Sequence, residues 1–267
     1  MNNKKHIFQK IYLGLILLFF YLPIAYVILY SFNESKSLTA FTGFSLKWYE
    51  KMLENTSMME AVYYSLLIAV LATIISTIVG TLVAIGLSKS SKVVKEIVTQ
   101  VNNLPMLNPD IVTAISLMLF FSTLNVPTGF TTLLLAHIIF CIPYVILSIM
   151  PKIRQLDDNL AEAALDLGCT PFQALYKVII PQIKEGILSG ALIAFTMSFD
   201  DFVISYFTTG PGISNISIFV YSSVKRINPS INALSTIIVL CITIVLVLKN
   251  VLPQLINMRR KKHEKIN

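Results

Sequence analysis

Glu162-Ala163-Ala164-Leu165-Asp166-Leu167-Gly168, with Val178-Ile179-Ile180-Pro181 nine residues further on, is the stretch on which the reading of this chain turns. It predicts helix, turn, helix. Asn159 stands where it can cap a short helix with Glu162 three residues on, and Gly168 where it can end that helix in the left-handed conformation. Thr170 is placed to cap a second helix, with Pro171 at its first position and Gln173 closing a capping box. Pro181 is expected to bend the chain as it enters the next apolar run. The result is a rigid two-helix elbow presenting Leu165, Leu167, Phe172, Leu175 and Tyr176, a surface costly to leave in water and suited to burial against a partner.

Outward from the elbow the sequence is apolar. Of 267 residues 55% are hydrophobic and 13% charged, and the mean hydropathy is +0.73, whereas soluble domains carry about 25% charged residues. A soluble single-domain enzyme is excluded. A hydrocarbon core about 30 Å thick needs roughly 20 apolar residues per helix, and apolar runs place six spans at 11–31, 61–88, 97–124, 130–150, 186–207 and 232–252. The expected fold is all-α: one polytopic transmembrane domain over residues 1–267. Ile11 to Tyr30 is too long for a signal-peptide core and lacks a small-x-small cleavage site, so it reads as a retained first span.

The scarce charges set the topology. Lys4, Lys5, Lys10, Lys89, Lys92, Lys95, Lys152, Arg154, Lys177, Lys184, Lys249, Arg259, Arg260, Lys261, Lys262 and Lys265 fall on one side, and Lys36, Lys47, Lys51, Lys225 and Arg226 on the other. By the positive-inside rule both termini are cytoplasmic, and 151–185 is the longest cytoplasmic loop. The net charge of +7 therefore reads as membrane anchoring, with no nucleic-acid partner. Cys141, Cys169 and Cys241 are far apart and form neither a disulfide framework nor a metal site.

Several features inside the spans ask for an explanation. Ala72, Ser76, Gly80, Ala84 and Ser88 form a stripe of small side chains, repeated by Gly186, Gly190 and Ala194. Such stripes serve packing within the chain's own bundle or against a second membrane subunit. Pro105 and Pro109 break the third run amid Asn102, Asn103, Asn108 and Asp110. The break either lines a wet pathway or simply restarts a helix, with Asn108 as N-cap, Pro109 first and Asp110 against the dipole. Asp200 and Asp201 lie in the fifth run without a neighbouring cation, although an acid at a helix centre costs about 2.5–3.5 kcal/mol. On a continuous helix Asp201 shares a face with Ser198 and Ser205, and Asp200 points aside. These acids either serve a cation pathway or bond to polar groups of neighbouring helices or of a sister subunit. His137 reads as a helix-to-helix hydrogen bonder. The segment Ser45 to Leu53 reads as an amphipathic helix flat on the outer surface, with Trp48 and Tyr49 at the lipid interface.

The elbow resembles the EAA motif of ABC importer permeases: E-A-A, three residues, G, nine residues, aliphatic, any residue, aliphatic, P. Glu162, Ala163, Ala164, Gly168 and Pro181 match at the family's spacing, with Val178 and Ile180 where Ile and Leu are usual. The resemblance covers most of the chain and is strongest to polyamine (spermidine/putrescine) importer permeases, through Leu104 to Val112 and Ser198 to Phe207. It implies the type I importer permease (MetI-like) fold. It further implies that Glu162, Ala163, Ala164, Asp166, Gly168, Pro171 and Pro181 form the dock for an ATPase. The partners it implies are a second permease chain, two copies of a cytoplasmic ABC ATPase and an external polyamine-binding protein. Asp110, Ser198, Asp200, Asp201 and Ser205 become the candidate cation pathway. No Gly-Lys dipeptide occurs, so no phosphate-binding P-loop is present. No catalytic residue, metal or cofactor is expected. Permeases for other small solutes and a self-sufficient secondary transporter are the alternative readings.

Overall fold

The computed structural model describes residues 2–37, 39–157, 159–223, 228–244 and 247. Lys225, Arg226, Lys249, Arg259, Arg260, Lys261, Lys262 and Lys265, and most of the sixth run beyond 244, lie outside them. The regular secondary structure of the described residues is helical, with one isolated bridge, Asn33 with Phe44. The helices are α1 (Asn2–Ser31), α2 (Lys47–Glu54), α3 (Thr56–Ser88), α4 (Lys92–Leu107), α5 (Asp110–Thr123), α6 (Phe130–Ile153), α7 (Leu160–Asp166), α8 (Pro171–Ala174), α9 (Ile180–Asp200), α10 (Val203–Thr208) and α11 (Ile216–Ser223). A shorter apolar helix, α12, follows at Ser230–Ile244, and a π-helical turn, Leu175–Ile179, joins α8 to α9.

Among the described residues, four helices are long and apolar enough to cross a membrane: Gln9–Ser31, Thr56–Ser88, Phe130–Ile153 and Pro171–Asp200. The third run is broken in two, as its prolines lead one to expect. It is the pair α4 and α5, bent by 107°. Asn108 does not cap α5 as expected; it ends α4, its N–H donating to Leu104 O at 3.2 Å. Pro109 holds the N-cap position with ψ 138°, and Asp110 opens α5. The reason is local, since a proline disfavours helical backbone in the residue before it, and Asn108 is extended at ψ 146°. Pro105, by contrast, is carried inside α4.

The fifth run, expected unbroken over 186–207, also divides. Asp201 is extended (φ −61°, ψ 132°) between α9 and α10.

The chain forms two compact units, Met1–Met59 with Ser223–Asn267, and Glu60–Ser222. In the second unit the core is built around α6, which buries Leu133, Ala136, Phe140, Cys141, Val145 and Ile149. α9 packs along α6, and α10 packs on both α5 and α6. The two small-residue stripes face α6. A Cβ on Gly80 would fall 2.7 Å from Val145 Cγ1, and one on Gly190 3.3 Å from Val145 Cα. Packing inside the chain's own bundle therefore explains these glycines, because only a missing side chain lets backbones approach so closely.

In the first unit α2 departs from the expected lipid-facing role. Trp48 and Met52 are each only 3% exposed. The Trp48 indole N–H donates to Asn33 O at 2.6 Å, and Tyr49 Oη is hydrogen-bonded to Ser31 Oγ at 2.8 Å. A buried indole needs an acceptor for its N–H, and the loop after α1 supplies one, so the aromatic residues fasten that loop. Lys47 and Lys51 lie over the ring at 4.9 and 5.3 Å.

Candidate functional site

The elbow is built as the local chemistry requires. Gly168 takes φ +86°, and the chain closes α7 with Gly168 N–H to Leu165 O (2.9 Å) and Cys169 N–H to Ala164 O (3.1 Å). These are the two reverse bonds of a Schellman ending. Thr170 Oγ1 accepts from Gln173 N–H at 3.3 Å, while Thr170 N–H donates to Gln173 Oε1 at 3.1 Å, with Pro171 leading α8. One expectation fails: Asn159 makes no capping bond with its side chain. Its own N–H is instead held by Asp157 Oδ1 at 2.9 Å, which leaves Asn159 in helical backbone geometry unsuited to an N-cap.

Ala164 and Ala174 are buried, closing α7 onto α8. Glu162, Ala163, Asp166, Gly168 and Pro171 are exposed. So are Leu165, Leu167, Phe172 and Tyr176, with Leu167 at 86% and Phe172 at 75%. Leu175 is half-buried against the fold.

Pro181 does not bend the chain sharply. It lacks the N–H that would bond Lys177 O, and its ring would press on that carbonyl. The π turn absorbs the misfit, with Ile180 N–H donating to Leu175 O, and Pro171–Asp200 runs on as one 30-residue apolar helix.

At the far end of that helix the intramembrane polar residues gather. His137 on α6 is hydrogen-bonded through Nδ1 to Ser198 Oγ (2.7 Å) and through Nε2 to Ser205 Oγ (2.9 Å), and lies 3.7 Å from Asp201 Oδ2. His137, Ser198 and Ser205 are each at most 2% exposed. Asp201 accepts from Ile204 N–H (3.3 Å) and Ser205 N–H (2.7 Å). It thus caps α10 with its charge against the positive helix end, which is how a carboxylate is tolerated at membrane depth. The expected helix-to-helix role of His137 is what the structure shows.

Asn215 completes the cluster. Its Nδ2 donates to Ser205 Oγ (2.7 Å) and to Asp201 O (3.0 Å), and its Oδ1 accepts from Ile218 N–H (2.9 Å), capping α11. Ser217 Oγ donates to Asp200 O at 3.2 Å. The carbonyls of Asp200 and Asp201, freed by the helix break, are thereby given donors, as backbone at membrane depth demands. Sequence spacing did not single out Asn215; its only signal was a polar residue opening a helix after Gly210-Pro211-Gly212.

The five candidate pathway residues therefore separate. Asp201, Ser198 and Ser205 come together inside the chain, whereas Asp200 and Asp110 are exposed. Two residues beyond Asp200, the Phe202 ring meets Tyr221 at 4.7 Å with the rings tilted by 41°, and Tyr206 lies 6.0 Å from Tyr221. Tyr206 and Tyr221 are at least half exposed. Exposed aromatic faces are suited to an organic cation, and the sequence reading did not single these out.

A family model described as binding-protein-dependent transport system inner membrane component matches residues 76–262. The chain is similar to the putrescine transport system permease protein PotI of Escherichia coli strain K12, 38% identical over 239 residues that cover 85% of this chain and 84% of that protein. It is also similar to the spermidine/putrescine transport system permease protein PotC of the same strain, 36% identical over 231 residues, 86% of this chain and 87% of that one. Among solved structures, a bacterial ABC transporter involved in the import of the acidic polysaccharide alginate superposes with a TM-score of 0.73. It covers 95% of this chain and 96% of its own, at 16% identity, a likeness of fold.

Proposed function

This chain belongs to the inner-membrane permease components of binding-protein-dependent transport systems, and we propose that it forms half of the translocation pathway of an ATP-driven polyamine importer. It works with a second permease chain, two copies of a cytoplasmic ATPase and an external polyamine-binding protein, and itself performs no catalysis. Both termini and the 151–185 loop face the cytoplasm, and the elbow is the ATPase dock, with Glu162, Ala163, Ala164, Asp166, Gly168, Pro171 and Pro181 shaping it.

The mechanical reading follows from the unbroken run Pro171–Asp200. At about 1.5 Å per residue it spans roughly 45 Å. ATPase closure that displaces the elbow moves α9 as one lever and reaches the break before α10. The buried cluster of His137, Ser198, Asp201, Ser205 and Asn215 holds that break in shape. Asp200 and Asp110 offer carboxylates to the passing cation.

The observation that carries the polyamine reading is this pair of exposed acids, each beside a helix break in apolar spans. Charge matching to a cationic substrate accounts for their cost. The test is uptake of radiolabelled putrescine and spermidine by the reconstituted complex. Asp200→Asn and Asp110→Asn should weaken apparent affinity. Unchanged rate and affinity in both would remove these residues from the pathway.

A further inference from the structure

A cleft of about 290 Å³ opens between the ends of α3 and α6, the first turn of α4 and the inner side of the elbow. Its walls are apolar, with Ile85, Ile153, Leu156, Leu165, Leu175 and Ile179 among them. Its charged lining is Lys89, Lys95 and Arg154 against the single acid Asp157. The cleft lies where two spanning helices end, so its apolar walls continue the hydrocarbon depth and its cations sit at headgroup level. Leu167, Phe172 and Tyr176, the exposed apolar residues that suit the ATPase, are not in its lining, which shares only Leu165 and Pro171 with the exposed side of the elbow.

We infer that this cleft is a binding site for an anionic phospholipid of the inner leaflet, its phosphate held by Lys95 and Arg154 and its acyl end laid along the apolar walls. Three observations point to this occupant. The charge balance favours an anion. The lining is amphiphilic, which suits a lipid and not a free inorganic anion. The position matches the basic pockets between helices through which membrane proteins hold acidic headgroups. A lipid seated there touches both the span ends and the elbow, so it stiffens the joint through which ATPase movement reaches the spans. The inference rests on the cytoplasmic placement of the elbow proposed above.

Native mass spectrometry of the whole transporter, after equilibration with phosphatidylglycerol or with phosphatidylcholine, tests it. The wild type should retain phosphatidylglycerol selectively. The Lys95→Gln/Arg154→Gln double variant should retain roughly tenfold less or lower still, since each neutralised cation removes a substantial share of headgroup attraction. Lys95→Arg/Arg154→Lys should restore retention, and Lys92→Gln, exposed and outside the cleft, should leave it unchanged. Equal phosphatidylglycerol retention by wild type and double variant overturns the inference. So does inorganic phosphate binding that depends on these residues while lipid binding does not. Release of the ATPase by the double variant with lipid retention intact also overturns it, assigning the cations to the ATPase. If no ATPase accompanies even the wild type, the importer reading fails instead, and lipid retention is still compared on the permease chain.

Discussion

Gly168 and the pair Asp200–Asp201 show how much hangs on single positions. At φ +86° an L side chain costs about 1–2 kcal/mol, so Gly168→Val should loosen the elbow and release the ATPase on affinity purification, while membrane insertion stays intact. The adjacent acids should behave differently. Asp201 accepts two backbone N–H bonds at the start of α10, and losing such a cap costs about 0.5–2 kcal/mol. Asp201→Ala should therefore lower the thermal midpoint of the purified complex, whereas Asp200→Asn should lower uptake affinity and leave the midpoint unchanged. A hydrogen bond between membrane helices is worth only about 0.6 kcal/mol on average, so satisfying the carboxylate outweighs any one bond of His137. The spacing of Ser198, Asp201 and Ser205 made their convergence legible in the sequence. The means was not legible: they meet because the helix breaks at Asp201, not because it continues. Asn215, ten residues past Ser205, carried no periodic signal at all.

At the scale of elements, the elbow was the most legible part, because capping boxes and left-handed glycines act through neighbours within five residues. Thr170, Pro171, Gln173 and Gly168 do as their chemistry dictates. Asn159 does not, since Asp157, two residues earlier, competes successfully for the backbone. Helix breaks were harder to read. Pro105, Pro109 and Pro143 stand in apolar runs and Pro181 just before one, yet of these only Pro109 marks a helix break, with α4 ending at the residue before it. What separates them is tertiary: a π turn before Pro181, and dense packing around α6 that holds Pro143 in line. α2 misled for a similar reason, since its amphipathic pattern fits burial against the protein as well as against lipid. The exposed Leu167 and Phe172 lead to a further expectation. Leu167→Ser/Phe172→Ser should abolish co-purification of the ATPase and leave the unfolding free energy of the isolated permease within about 0.5 kcal/mol of wild type, as surface substitutions do.

For the whole molecule the governing quantity is the placement of few charges in an apolar chain. By the positive-inside rule we propose that the basic excess places the elbow in the cytoplasm, and this is open to direct measurement with a membrane-impermeant maleimide. Cys169 on the elbow should react only from the cytoplasmic side, a cysteine at Lys51→Cys on α2 only from outside, and Cys141, buried in the α6 core, from neither. The central claim is that the elbow joins solute passage to an ATPase carried on another chain. The most direct measurement is ATP-dependent putrescine uptake by the reconstituted complex with wild-type elbow and with Glu162→Lys. We expect uptake that requires ATP in the first and collapses together with ATPase retention in the second. Full-rate uptake by a Glu162→Lys complex that has lost its ATPase would contradict the account.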